Sequence, residues 1–446
     1  MSESPTQSQE AAANAPENTP KPEKRTDMTV LLFGLITYGL GQSLLYVVLG
    51  PLIREIGITE IQYGALISAS NIAIVMTAPW WGRKSETLGR KPVLILGMIG
   101  YAAGYALLAY GVQLGMGGVV TNSMEAPDWL PGFALLLASP LFLMLLGARL
   151  LYGALASAIQ PAATAYIADT TDKEGRTKGM ALVGMTAGLG TIIGPVFGVA
   201  FTRLGALAPM YMAAILAIIA VVCISKFIKE PKKHVTNEPT DSVRVSWFDG
   251  RVFPYLLGWV VGFMLFTAIQ PLVPFLAADQ LGITDKSKIS DVVGISLLSM
   301  GLVNVIVLIT LMQKIKLSPP VILRVAFILF GLALLLLTIA TSTWAFYLAF
   351  AAMGFAFSMV VPSLNAGASL AVNDNEQGAV AGLLTAAPTL GMIFGPFGGT
   401  VLYKFGPQVP IVVSAAASII LGLYFFLVKI PATTEAAKTE APKEGS

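Results

Sequence analysis

Long apolar runs alternate with short polar breaks along most of this chain. The pattern predicts twelve helices, over 28–50, 62–82, 92–112, 138–168, 178–202, 207–228, 253–277, 290–312, 319–340, 344–371, 379–402 and 407–429. Runs of about 20 apolar residues match the hydrocarbon thickness of a bilayer. In lipid every backbone polar group must be satisfied internally, which a helix achieves alone. The short alternating strands of a membrane barrel are missing from the pattern. Residues 1–27 and 430–446 are rich in Ser, Pro, Glu, Ala and Thr and are expected to be disordered tails. The segment 113–139 begins polar and turns apolar from Leu130, and reads as a loop or as an extension of the fourth run.

A glycine-proline pattern occurs twice, with 201 residues between copies. Gly190, Gly194, Pro195 and Gly198 form the first, and Gly391, Gly395, Pro396 and Gly399 the second. Pro161 and Pro362 share that offset. The chain is therefore expected to be a duplication. Its six-helix halves would span 28–228 and 253–429, joined by a polar linker at 229–252. Glycines four apart share one helix face and allow close approach of another helix. A following proline removes a backbone donor and bends the helix. Such a face suits a helix that seals a cavity and then tilts; static close packing is the simpler alternative.

Composition agrees: 55% of residues are hydrophobic and 12% charged, where a soluble domain carries roughly 25% charged residues. Lys and Arg divide unequally between the two sets of loops, about 21 against 5. The rule that positive loops stay inside places both termini in the cytoplasm, in a multi-pass protein of a bacterial plasma (inner) membrane. A net charge of +3 without a clustered basic patch gives nothing to grip nucleic acid. One cysteine (Cys223) and one histidine (His234) cannot build a metal site or a nucleophile–base dyad. No cofactor, no metal and no catalytic residue are expected.

Several motifs in order resemble one family. The loop Gly82-Arg83-Lys84-Ser85-Glu86-Thr87-Leu88-Gly89-Arg90-Lys91 resembles the G-x-L-a-D-r-x-G-r-r loop of the major facilitator superfamily. Glu86 replaces its Asp, Thr87 a basic residue and Lys84 a leucine. Arg149 to Gly153 is similar to the superfamily's R-x-x-x-G element, and Ala165 to Asp169 to the AYIAD segment of tetracycline-type exporters. Gly190 to Gly198 resembles the signature of the drug:proton antiporter branch. The resemblance implies an all-α major facilitator fold. It also implies gating by Gly82, Glu86, Gly89, Arg90, Lys91 and the two glycine-proline signatures. Glu86 would latch the halves against the start of the eleventh helix, where a helix N-terminus favours negative charge.

In this superfamily the first, fourth, seventh and tenth helices line the cavity. The candidates are Tyr38, Gln42, Tyr46, Asn71, Arg149, Trp259, Phe263, Gln270, Asn304, Ser358 and Asn365. Arg149 carries charge deep within a run, which costs at least a few kcal/mol. Expected partners are backbone carbonyls, water, Gln42, Asn71 or an anionic substrate group; the alternative is an arginine that snorkels to the outer end of its helix. No buried acid stands opposite it, so Glu55, Asp169 and Asp279 at the helix mouths are the candidates for proton coupling. The expected function is export of a small amphipathic neutral or anionic molecule, a drug or a siderophore-like metabolite. It would be driven by protons and carried out by a monomer through alternating access across the bilayer. Uptake of a sugar or organic acid by the same fold is the alternative.

Overall fold

The computed structural model describes residues 22–121, 139–171, 173–231, 245–312, 314 and 317–428. Twelve long helical elements occur among them. They are α1 (Pro22–Ile53), α2 (Glu60–Leu88), α3 (Arg90–Met116), α4 (Pro140–Thr170), α5 (Lys173–Thr202) and α6 (Ala208–Phe227). After the linker come α7 (Phe253–Leu281), α8 (Lys286–Thr310), α9 (Pro319–Thr338), α10 (Thr343–Leu370), α11 (Gln377–Tyr403) and α12 (Val409–Leu427). The face where α1 begins is called here the terminal face, and its opposite the far face. α1 starts at Pro22, six residues inside the segment expected to be tail, and α3 runs on to Met116. The disorder expected at 1–21 and 430–446, the stretch 122–138 and most of the linker lie outside the described residues.

Local chemistry sets the helix ends. Thr59 and Gln62 form a reciprocal capping box at the start of α2. Ser139, Asp285 and Ser342 accept from the first free amides of α4, α8 and α10. Two spans expected to be single helices are interrupted. α4 breaks between Ala156 and Ile159. α7 narrows to a 3₁₀ turn at Gln270–Leu272, where Pro271 and Pro274 withhold two donors. The duplication reaches even the turns. Gly205 (φ 149°) with Pro209 joins α5 to α6, and Gly406 (φ 138°) with Pro410 joins α11 to α12, each pair 201 residues apart.

On the terminal face Glu230 folds back over α3. Its carboxylate accepts from the Arg90 and Lys91 amides at 2.5 and 2.9 Å, where the helix N-terminus favours an anion. In the second half Arg251 clamps Asp249 and Glu376, both at 2.8 Å, tying the end of the linker to the α10–α11 turn. The guanidinium hydrogen bonds hold both carboxyls below the usual carboxylate range. A carboxyl depressed by folding stabilises above its free pKa and ceases to do so as pH falls through its folded value. The stability difference between the wild type and Arg251→Gln is therefore expected in full at neutral pH, to shrink as pH falls below about 4 and to be gone in strong acid. Thermal unfolding of the two proteins across that range checks this; a difference that survives strong acid refutes it.

Candidate functional site

The glycine faces meet helices of their own half. A Cβ on Gly190 would sit 2.5 Å from the Ile36 carbonyl oxygen, and one on Gly194 2.5 Å from that of Leu40. Gly198 packs on Leu44 and Val47, so the whole face lies along α1. In the second copy Gly391, Gly395 and Gly399 lie along α7, against Val260, Met264 and Ala268. The close-approach part of the sequence reading is thus realised inside each half. The prolines are what face across the molecule.

The two halves meet along α2–α11 and α5–α8. Gly64, Ser68 and Asn71 of α2 oppose Thr400, Phe397 and Met392 of α11. Gly294 and Gly301 of α8 oppose Pro195, Val199 and Ile192 of α5. Pro396 has no N–H, so the Met392 carbonyl four residues earlier lacks its helical donor. Asn71 Nδ2 supplies one at 2.8 Å from the other half. One turn further on, the Phe397 amide donates to Ser68 Oγ at 3.2 Å.

An ionic clasp closes the far face. Arg54, just beyond α1, binds both Asp279 oxygens at 2.6 and 2.7 Å and reaches Glu60 at 2.8 Å. Its guanidinium lies 4.9 Å from the Phe275 ring centre. Tyr403 donates to Asp279 at 2.7 Å, and Lys286 reaches Glu55 at 2.6 Å. Ser290 of α8 donates to the Val47 carbonyl across the same seam. The inter-half hydrogen bonds and ion pairs seen among the described residues all lie toward the far face.

Toward the terminal face the halves part. Met76 of α2 is 74% exposed, and Ala381, Gly382, Thr385 and Ala386 of α11 are exposed. At the level where the seal ends lies a cavity of about 260 Å³. Tyr38, Gln42, Asn71, Ile74 and Gln160 line it from the first half, and Thr389 and Met392 from the second. The sequence reading named Tyr38, Gln42 and Asn71 and missed the others. Gln160, one residue before Pro161, was the signal available in the sequence. Met392 and Thr389 carry no polar pattern that would have singled them out.

The other candidates are placed elsewhere. Arg149 stands nine residues into α4, roughly 14 Å from its far end, which is mid-depth. It is 5% exposed and sits behind the cavity wall. Nη2 donates to Ser70 Oγ at 2.7 Å, and the guanidinium lies 4.5 Å from the Tyr152 ring centre. Nε is buried without a hydrogen-bond partner among the described residues. The hydroxyl of Tyr152, whose ring the guanidinium faces, accepts from the cavity-lining Gln42 Nε2 at 3.1 Å. Tyr38, Tyr101, Tyr105 and Tyr152 form one ring cluster around this point. Tyr46 is half-buried beside the core.

Trp259 and Phe263 pack as an aromatic pair that continues to Phe266 and Phe357. Gln270 opens the 3₁₀ turn, Ser358 bonds the Phe355 carbonyl, Asn304 is half-buried and Asn365 exposed. Gly82 faces Pro161, Gly89 adopts φ 100°, and Glu86 is exposed on the open side. Arg90 binds Asp169 at 2.8 Å, and Lys91 the Ser225 carbonyl at 2.7 Å. The three acids singled out for proton coupling are therefore all paired: Glu55 with Lys286, Asp169 with Arg90 and Asp279 with Arg54.

Long apolar helices around a mid-depth cavity, sealed on one face and parted on the other, are the architecture of a membrane transporter. The Major Facilitator Superfamily model matches residues 31–387 and, in a second overlapping match, 305–446, and the chain belongs to that family. It is a multi-pass membrane transporter of this type and not an enzyme. It is 24% identical over 413 residues to Multidrug resistance protein 2 of Bacillus subtilis (strain 168), covering 90% of this chain and 95% of that one. It is 26% identical over 375 residues to the class B tetracycline resistance protein of Escherichia coli, covering 82% and 85%. Among solved structures it is similar to a bacterial homolog of the human lysosomal transporter Spinster. The TM-score is 0.68 at 12% identity, covering 92% of this chain and 97% of the other.

Proposed function

We propose that this protein is a secondary exporter of a small amphipathic molecule, neutral or anionic, working as a monomer in a bacterial inner membrane. The terminal face, which carries most of the basic loop residues, is cytoplasmic, so the parted side loads cargo from within. The observation that carries this reading is the cavity at the end of the far-face seal, with amide and hydroxyl walls and a buried cation close behind. No carboxylate lines it, so a lipophilic cation gains nothing there, whereas Arg149 favours negative or neutral cargo. Relatives named for multidrug and tetracycline resistance support export over uptake.

Proton coupling is assigned to Asp279. Its protonation removes the charge that Arg54 holds and loosens the far seal, which links proton entry to opening. When the far face opens, the terminal face closes, and Glu86 then meets the α11 N-terminus as a latch. Cells with and without the protein, loaded with labelled anionic, neutral and cationic aromatic compounds, test this. Protein-dependent expulsion of the first two, lost with a protonophore, is expected. Arg149→Met is expected to reduce expulsion of the anion at least about tenfold, since the buried charge is worth over 1 kcal/mol to an anion nearby. Uptake in place of expulsion, or preference for the cation, refutes the reading.

A further inference from the structure

We infer that Arg324 holds the phosphate of an anionic membrane lipid, at the terminal-face rim of α9 and α12. The site needs a bilayer but neither a cargo nor a direction of transport.

Matching sequences follow α6 and α12, 200 residues apart: Ile228-Lys229-Glu230-Pro231 and Val428-Lys429-Ile430-Pro431. The two helices also end alike. The Ile228 amide closes on the Ile224 carbonyl, and the Val428 amide on that of Tyr424. The next carbonyl of each lacks a helical donor, and a cation from the neighbouring helix supplies one. Lys91, at the start of α3, donates to the Ser225 carbonyl at 2.7 Å. Arg324, near the start of α9, donates Nε to the Phe425 carbonyl at 2.8 Å.

The two ends differ in their anion. At the α3–α6 end the chain provides its own, because the Glu230 carboxylate lies on the Arg90 and Lys91 amides. After α12 the sequence has Ile430 in place of Glu230, and its first acid is Glu435. Among the described residues no carboxylate pairs with Arg324, and Nη1 and Nη2 have no hydrogen-bond partner. A guanidinium offers five donors in a fork that fits a phosphate, and only Nε is spent. Arg324 stands five residues into α9, roughly 8 Å from its start, a depth at which headgroups meet acyl chains. A cation there is costly without an anion, and a lipid phosphate satisfies both remaining nitrogens. The Phe426 ring centre lies 4.9 Å from the guanidinium, and exposed Val325, Leu423 and Leu427 continue an apolar surface for the acyl chains. A headgroup with no cation of its own leaves its full charge for Arg324, which favours anionic over zwitterionic lipid.

A bimane label at Leu427→Cys, with Cys223→Ser removing the native thiol, reads the lipid at this rim in the full-length protein. The same label at Ile339→Cys, exposed at the opposite end of α9, is the control. The protein is reconstituted into phosphatidylcholine vesicles that hold a small fraction of brominated phosphatidylglycerol, or the same fraction of brominated phosphatidylcholine. Quenching is expected to report about fivefold local enrichment of phosphatidylglycerol at Leu427→Cys, the worth of one basic residue at an anionic surface, and none at Ile339→Cys. Arg324→Gln keeps a donor for the Phe425 carbonyl but removes the charge, and is expected to bring the enrichment to about one. Enrichment at Leu427→Cys no greater than at Ile339→Cys, or unmoved by Arg324→Gln, overturns the inference. Enrichment abolished by inorganic phosphate but kept in sodium chloride of equal ionic strength also overturns it, and makes free phosphate the occupant. If Arg324→Gln does not fold, the comparison of the two label positions decides.

Discussion

Gly395→Val is expected to destabilise the protein by about 3 kcal/mol, while Gly398→Val, in the same signature, is close to silent. A Cβ on Gly395 would collide with Thr267 Oγ1 and lie 2.6 Å from the Met264 carbonyl oxygen, on a helix axis that has nowhere to go. Overpacking against backbone costs about 1–3 kcal/mol and reaches the upper end when no side chain can yield. Gly398 has nothing within 4 Å of the same hypothetical atom. Both changes place a β-branched residue in the same turn of α11, so helix propensity cancels in the comparison. Thermal midpoints of the purified variants decide. Equal losses at the two positions would mean that the glycines serve helix bending and not contact with α7.

Breaking the far-face clasp is expected to have the largest effect on the transport cycle itself. Asp279→Asn removes the charge that Arg54 binds with both nitrogens and that Tyr403 also serves. Arg54 and Asp279 are 40% and 32% exposed, so water screens the pair and its worth is near the upper end for surface ion pairs, about 1 kcal/mol. That corresponds to a roughly fivefold rise in far-open molecules. Leu204 and Phe405 sit on equivalent turns of the two halves and are both exposed. Spin labels at Leu204→Cys and Phe405→Cys, with the sole native cysteine changed by Cys223→Ser, report their separation. Glu55→Gln breaks the Lys286 pair, a single contact without the bidentate geometry, and should shift the distribution less. An unchanged distance distribution in Asp279→Asn would show that the interlocked α2–α11 and α5–α8 backbones hold the far face without the clasp.

Much of this was written in the chain. The apolar run length gave the spans, because the bilayer imposes it and each helix satisfies its backbone alone. The offset of 201 residues was legible in the glycine-proline copies, and the turns at Gly205 and Gly406 repeat it in detail. The four-residue glycine spacing gave a flat helix face, since that periodicity is local. Tyr38, Gln42 and Asn71 were found in the cavity because polar residues within an apolar run have few other reasons to be there.

What the flat face meets is not local. Only the packed molecule turns the glycines toward α1 and α7 and the prolines toward the opposite half, because the partner on each side comes from a distant segment. The same holds for Arg149: its depth could be read from the sequence, but not the Tyr152 ring and the Ser70 hydroxyl that it meets. The sequence alone determined that helices long and apolar enough to cross a membrane recur along the chain, and which residues in them are out of place there. The tertiary structure decided which of those residues share a wall and which hydrogen bonds they have already spent. Those depend on contacts between helices far apart in the chain, and on which face of the molecule is closed.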